Sequence, residues 1–70
     1  MRLKDELNKL GINYYSEIIN GSEFITCKKG TRIHITKDSV YVCAKEKCYS
    51  MPPKVDSLNY VLGIVKQYEC

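Results

Sequence analysis

The strongest constraint on this chain is an alternation of apolar and polar side chains that persists from Glu23 to Met51. Within it, the segments 31–36 and 39–44 are rich in β-branched and aromatic residues. Successive side chains of a β-strand point to opposite faces, so this pattern is typical of strands with one buried face. The stretch therefore predicts an antiparallel meander with short turns.

Three two-residue turns give a consistent register for this meander, at Lys29-Gly30, Lys37-Asp38 and Lys45-Glu46. In this register Phe24 lies opposite Ile35. One face is then predicted to be apolar and to contain Phe24, Ile33, Ile35, Val40, Val42, Tyr49 and Met51. The other face is mixed, and it is predicted to contain Ile25, Cys27, Arg32, His34, Tyr41, Cys43, Cys48 and Ser50.

The flanking segments predict a helix before the sheet and a helix after it. Residues 1–10 form an amphipathic pattern that Gly11 ends. Residues 13–19 fit either a strand entering a hairpin at Asn20-Gly21 or a further helical turn, and we favour the strand because Gly11 breaks the helix. After Pro52-Pro53 ends the sheet, a helical stripe is predicted to cover the apolar face with Leu58, Val61, Leu62 and Val65.

Length and composition limit the chain to one folded unit. With 70 residues, 44% of them hydrophobic and only 2 prolines, it has room for one domain and is not of disordered type. We predict a single α+β domain over residues 1–70: an N-terminal helix, an antiparallel meander of four to five strands, and a C-terminal helix packed on one face. No apolar run is long enough to span a membrane and no signal peptide is evident, so we expect a cytoplasmic protein.

The 4 cysteines leave three interpretations open. Reduced thiols are favoured, because cytoplasmic proteins rarely keep disulfides. A disulfide between Cys43 and Cys48 is geometrically feasible, since a two-residue turn at Lys45-Glu46 makes them directly opposed. A single C-x4-C hairpin is weak support for zinc, so no metal site is predicted.

The sequence offers little support for catalysis. His34, the only histidine, is predicted mid-strand on the mixed face, where Cys43 or Cys27 could form a Cys-His pair with it. A surface histidine is favoured, because a small meander has no deep cleft to exclude water. No phosphate-binding loop, Ser-His-Asp set or paired carboxylates are recognisable, so we expect no enzyme activity and no cofactor.

Charge is the most informative feature. Alternate turns of a meander fall at the same end of the sheet, so Lys28 and Lys29 are predicted to lie near Lys45 and Lys47. The resulting basic rim would lie beside Arg32, His34 and Tyr41, and it would attract phosphate or an acidic protein surface. Lysines placed on turns for solubility are the alternative explanation. The chain also has 6 tyrosines, some of which must be exposed and suited to protein binding or base stacking.

In layout and in its content of Lys, Ile, Asn and Tyr, the whole chain resembles small proteins encoded by bacteriophages and mobile elements, anti-CRISPR proteins among them. This resemblance implies a non-enzymatic inhibitor that binds one host protein. DNA-mimicking inhibitors of this kind are strongly acidic, whereas this chain has a net charge of +3. The element order is also similar to double-stranded RNA-binding domains, but the lysine cluster of their last helix is replaced here by residues 56–59.

We therefore expect a protein-binding module, most simply a stoichiometric inhibitor of a host protein or nucleoprotein complex. Its predicted contact residues are Lys28, Lys29, Arg32, His34, Tyr41, Lys45 and Lys47. The alternative is nucleic-acid binding through the same rim, and a third hypothesis is a thiol-based redox or metal protein. Homodimerisation through a strand edge is compatible with each, and no membrane partner is expected.

Overall fold

The computed structural model describes residues 3–69 as two helices and five strands. In chain order these are α1 (Leu3–Lys9), β1 (Tyr14–Ile19), β2 (Ser22–Cys27), β3 (Arg32–Ile35), β4 (Val40–Ala44), β5 (Lys47–Met51) and α2 (Val55–Glu69). The strands form one antiparallel sheet in sequence order. The predicted α+β fold is confirmed, with five strands and with both helices present.

Gly11 ends helix α1 as the sequence predicts, although the helix itself stops at Lys9, and residues 1 and 2 of the predicted span lie outside the described residues. Gly11 adopts a left-handed backbone conformation with φ of 71°. The Ile12 N–H donates to the Leu7 carbonyl at 3.0 Å, and the Gly11 N–H donates to the Asn8 carbonyl at 3.1 Å. This pair of bonds is the Schellman arrangement, and it turns the chain so that Leu7 and Ile12 both enter the core.

The segment that fitted either a strand or a helix is strand β1. Asn20 and Gly21 connect it to β2 with positive φ angles of 52° and 80°, which two-residue hairpin turns of type I′ require. Strand β1 is paired with β2 along its whole length, from Tyr14 opposite Cys27 to Ile19 opposite Ser22. The favoured interpretation of this segment is therefore correct.

The predicted register is confirmed for β3, β4 and β5. Ile33 and Tyr49 both lie opposite Val42, and Cys43 lies opposite Cys48. The Thr36 N–H donates to the Ser39 carbonyl at 2.9 Å, closing the two-residue turn at residues 37–38. These turns hold the three strands in the alignment that their apolar pattern requires.

The predicted register of β2 is wrong by one residue. Phe24 lies opposite His34 rather than Ile35. The loop from β2 to β3 has three residues (28–30) because Gly30, with φ of 102°, adds a left-handed residue after a turn in which its N–H donates to the Cys27 carbonyl at 3.0 Å. Since the side-chain period is two, this slip moves Phe24 to the mixed face and moves Ile25 and Cys27 to the core.

The core lies between the helices and one face of the sheet. It contains Leu3, Leu7, Ile12, Ile25, Cys27, Ile33, Val40, Val42, Ala44, Val61, Ile64 and Val65. From the predicted stripe of α2, Val61 and Val65 are fully buried, whereas Leu58 and Leu62 are partly buried. The position of α2 on the apolar face is as predicted. Neither described helix is long and apolar enough to cross a membrane.

Candidate binding surface

No other described element covers the face of the sheet that points away from the helices. Directly opposed residues share a face, so the pairing defines this open face. Its members are Tyr15, Glu17, Ile19, Ser22, Phe24, Thr26, Arg32, His34, Tyr41, Cys43, Cys48 and Ser50. Large apolar side chains are exposed on it, among them Tyr15 at 66%, Tyr41 at 41% and Phe24 at 36%.

Phe24, His34 and Tyr41 form an aromatic row across β2, β3 and β4 because they lie directly opposite one another. The Phe24 and His34 rings are stacked, with centroids 4.0 Å apart and planes inclined by 18°. The His34 and Tyr41 centroids are 5.6 Å apart with planes inclined by 32°. The aromatic row forms a ridge on the open face, and contacts between neighbouring rings stabilise it.

The middle ring of the row, that of His34, has one nitrogen shielded from solvent. Its Nε2 is buried and has no hydrogen-bond partner among residues 3–69. The Cys-His pair considered from the sequence does not form: Cys27 lies on the opposite side of the sheet, and Cys43 is bonded to Cys48. His34 is therefore an aromatic member of the surface rather than half of a Cys-His pair.

A second row, parallel to the aromatic row, runs from Tyr15 through Thr26 and Arg32 to a disulfide between Cys43 and Cys48. The bonded cysteines are directly opposed, with Cα atoms 4.0 Å apart. The favoured expectation of free thiols is wrong for this pair. Among the described residues it holds for Cys27, which is buried.

A shallow groove of about 410 Å³ lies between the two rows. Its lining residues are Phe24, Ile25, Thr26, Arg32, Ile33, His34, Tyr41 and Cys43. The groove thus presents a cation, an aromatic ridge and a disulfide on one side of the sheet. Three of its members, Arg32, His34 and Tyr41, are predicted contact residues.

The lysines of the β2–β3 and β4–β5 turns lie at one end of the sheet, as the meander predicts. We define the basic end as Lys28, Lys29, Arg32 and Lys45. The Lys45 Nζ lies 5.6 Å from the centroid of the Tyr68 ring, a cation–π contact with α2. Arg32, the first residue of β3, links the basic end to the groove.

Lys47 lies at the same end of the sheet, as predicted, but on its other face. It lies opposite Ala44, so its side chain belongs to the helix side of the sheet. There it lines a depression together with Tyr49, Tyr60 and Tyr68. Lys47 is near the basic end in sequence, but it does not share a face with Arg32, His34 and Tyr41.

Glu69 is an acidic residue at the basic end that the sequence analysis missed. Its carboxylate accepts hydrogen bonds from the Lys29 N–H at 2.8 Å, the Thr31 N–H at 3.2 Å and the Thr31 hydroxyl at 2.7 Å. Partial burial raises its pKa, but the bonds from Thr31 and Lys29 outweigh this effect and leave the pKa below its usual value. Glu69 therefore fixes the lysine-bearing loop to the end of α2.

A further depression, of about 560 Å³, lies between the free edge of β5 and the start of α2. Its lining residues are Cys48, Tyr49, Ser50, Met51, Asp56, Ser57 and Tyr60. No predicted contact residue lines it. Within residues 3–69 no group of three or more His, Cys, Asp or Glu side chains could hold a metal ion.

Comparison with protein-family models, curated proteins and solved structures found no significant match to this chain. Its function is therefore inferred from the open face and the basic end.

Proposed function

We propose that this protein is a non-enzymatic binding module that docks on an acidic surface of a protein partner. The contact surface is the open face together with the basic end. The resemblance to small inhibitors of phages and mobile elements extends this proposal to stoichiometric inhibition of a host protein or ribonucleoprotein complex in the cytoplasm.

The observation that carries the proposal is the exposed aromatic row beside Arg32 on an uncovered five-stranded sheet. Aromatic residues and arginine are enriched where protein interfaces bury their central contacts. Tyr41 and Phe24 offer large rigid side chains that lose little conformational entropy on binding. The lysines at one end add a positive field that would orient an acidic partner during encounter.

The geometry favours a protein partner over single-stranded nucleic acid. Base-stacking proteins offer ring faces to successive bases. Here the Phe24 and His34 rings stack on each other and the Tyr41 ring lies beside His34, so fewer ring faces are left for bases. Two carboxylates also border the surface, since Glu17 continues the aromatic row in β1 and Glu69 lies at the basic end.

The experiment compares binding by matched variants. Tagged wild-type protein first isolates a candidate partner from host lysate, and the purified pair is then titrated by calorimetry. The Phe24→Ala/Tyr41→Ala variant is expected to weaken binding more than about tenfold, as interface anchors do. Tyr60→Ala is the control, because Tyr60 is 51% exposed but lies on α2.

A second pair of variants tests the basic end. Lys28→Glu/Lys29→Glu is expected to slow association and to abolish much of its salt dependence. Lys37→Glu/Lys54→Glu changes the net charge equally at the opposite end of the sheet and is expected to have a small effect. Unaltered affinity in both the aromatic and the lysine variants, with circular dichroism unchanged, would refute the proposed surface.

Nucleic-acid binding remains the second candidate, because the basic end could contact phosphates. A gel-shift titration with single-stranded RNA and DNA at two salt concentrations separates the two functions. Tight binding that falls steeply with salt and requires Lys28 and Lys29 would support the nucleic-acid function and contradict the protein partner.

A further inference from the structure

We propose that the Cys43–Cys48 bond is a site of thiol–disulfide exchange with small thiols of the glutathione class. This inference concerns the open face but does not depend on the identity of a protein partner. It rests on the exposure of the bond, on the charges around it, and on the hydrogen bonding of the hairpin that carries it.

The two bonded cysteines differ in exposure to solvent. Cys48 is exposed on β5, the last strand of the sheet, whereas Cys43 is half-buried beside the groove. Exchange requires an attacking thiolate to approach one sulfur in line with the bond. The exposure therefore directs attack to the Sγ of Cys48, with the sulfur of Cys43 as leaving group.

The exchange is balanced with two equivalents of the external thiol. A thiolate forms a bond to the Cys48 Sγ, the bond between the protein sulfurs breaks, and Cys43 leaves as a thiolate that takes a proton from water. A second external thiolate attacks the external sulfur of the mixed disulfide and releases Cys48 as a thiolate. The protein disulfide is reduced by two electrons, and the two small thiols are oxidised to one disulfide.

The charges near the bond favour this direction of attack. Arg32 lies directly opposite Cys43 on the same face, and residues so paired have β-carbons about 5 Å apart. Lys45 lies in the turn that joins the two cysteines, where Glu46 is the one acidic residue. Cationic neighbours stabilise a thiolate, so the leaving sulfur is assisted by Arg32.

The hairpin does not need the bond to keep its shape. β4 and β5 are paired over five residue positions, from Val40 opposite Met51 to Ala44 opposite Lys47. Their turn already brings Cys43 next to Cys48, so the disulfide closes a very short loop and constrains the unfolded chain little. Opening the bond is therefore compatible with an intact sheet, which permits repeated reduction and oxidation.

Cys27 provides an internal contrast. It is 2% exposed on the helix side of the sheet, and burial, with a smaller effect of Glu69, raises the pKa of its thiol to about 11. Because the sheet separates it from Cys43 and Cys48, it cannot resolve the mixed disulfide. Its alkylation reports general unfolding instead of exchange at the surface.

The test measures reduction by glutathione at neutral pH, with rapid alkylation and mass spectrometry to identify each thiol. A Cys70→Ser background removes the remaining cysteine from the count. The native bond is expected to react within about tenfold of the rate in guanidinium, with Cys27 unmodified and circular dichroism retained. The proposal would be overturned if the native bond were reduced more than about a hundredfold more slowly than in guanidinium. Alkylation of Cys27 at the same rate as the reduction would overturn it as well.

A matched pair of variants tests the effect of the positive charge of Arg32. Arg32→Gln and Lys37→Gln each remove one positive charge, but Lys37 lies in the turn at the other end of the sheet. Arg32→Gln is expected to slow native reduction several-fold and Lys37→Gln to leave it unchanged. Equal rates for the two variants would contradict the assignment of Cys43 as the leaving sulfur.

Discussion

Phe24 lies directly opposite His34, and the two rings stack with centroids 4.0 Å apart. This one pairing connects the fold with the candidate surface. The three-residue loop that precedes β3 sets the register, and the register brings the aromatic rings of β2, β3 and β4 into one row. A shift by one residue would place Phe24 in the core and break the row.

Replacing Phe24 with alanine tests the energetic value of this stacking. Phe24→Ala is expected to lower the free energy of unfolding by about 1 kcal/mol, because a paired aromatic ring that is partly exposed is lost. Urea denaturation measures the change. Thr26→Ala, one position along the same face of β2, removes no ring and is expected to have a smaller effect. A loss of several kcal/mol for Phe24→Ala would indicate that its ring is in the core, contrary to the structure.

Glu69 is expected to make stability depend on pH in the acidic range. Its pKa is lower in the folded protein than its usual value, so its contribution to the free energy of unfolding is fully present above the unfolded value of about 4.3. That contribution is lost as the pH falls through the folded pKa. Glu69→Gln should therefore cost about 1 kcal/mol at pH 7, allowing for partial solvent screening, and much less at the lowest pH.

Denaturation curves from pH 2 to pH 7 compare Glu69→Gln with Glu46→Gln. Glu46 is exposed in the β4–β5 turn, so its substitution should leave the pH profile close to that of the wild type. Parallel profiles for Glu69→Gln and the wild type would show that the bonds to Lys29 and Thr31 do not form.

The sequence predicts the register of β3, β4 and β5 correctly. For each of these turns, only one loop length places the apolar side chains of the two joined strands on the same face. The prediction fails at β2 because two loop lengths are compatible with an apolar cross-strand pair. A two-residue loop pairs Phe24 with Ile35, and a three-residue loop pairs Ile25 with Ile33. Both loops suit a left-handed glycine at residue 30, but a two-residue type I′ turn would also need a left-handed Lys29, which the longer loop avoids.

The sequence places only those members of the candidate surface whose positions follow from a correctly predicted register. Arg32, His34 and Tyr41 depend on the β3–β4 register and were placed correctly on one face. The turn positions place Lys47 at the end of the sheet that carries Lys28, Lys29 and Lys45, and the alternation puts its side chain on the helix side. The contact of Glu69 with Thr31 spans 38 residues, and no local pattern indicates such a pairing.

A third prediction concerns the ion pair that connects α1 with the sheet. The Lys4 Nζ lies 2.7 Å from the Glu23 Oε2, which also accepts a bond from the Ser16 hydroxyl at 3.0 Å. The hydrogen bond from Lys4 is the main reason that the pKa of Glu23 lies below its usual value. Lys4→Met should therefore raise the pKa of Glu23 towards that value.

Carboxyl carbon chemical shifts followed by NMR across the acidic range give this pKa directly. Lys9→Met is the control, because Lys9 pairs with Glu6 at 3.5 Å on the exposed side of α1. An unchanged pKa for Glu23 in Lys4→Met would mean that α1 does not dock on β2 through this pair.

The last prediction uses two glycines to separate backbone conformation from packing. A β-carbon added at Gly63 or at Gly30 would meet no atom within 4 Å. Gly63 lies inside α2, where alanine favours the helix, so Gly63→Ala should raise the free energy of unfolding by about 1 kcal/mol. Gly30 has φ of 102°, a backbone conformation that disfavours any side chain. Gly30→Ala should therefore lower the free energy of unfolding by about 1–2 kcal/mol. Thermal and urea denaturation should show opposite signs for the same added methyl group; equal signs would mean that residue 30 does not adopt the left-handed conformation found in the structure.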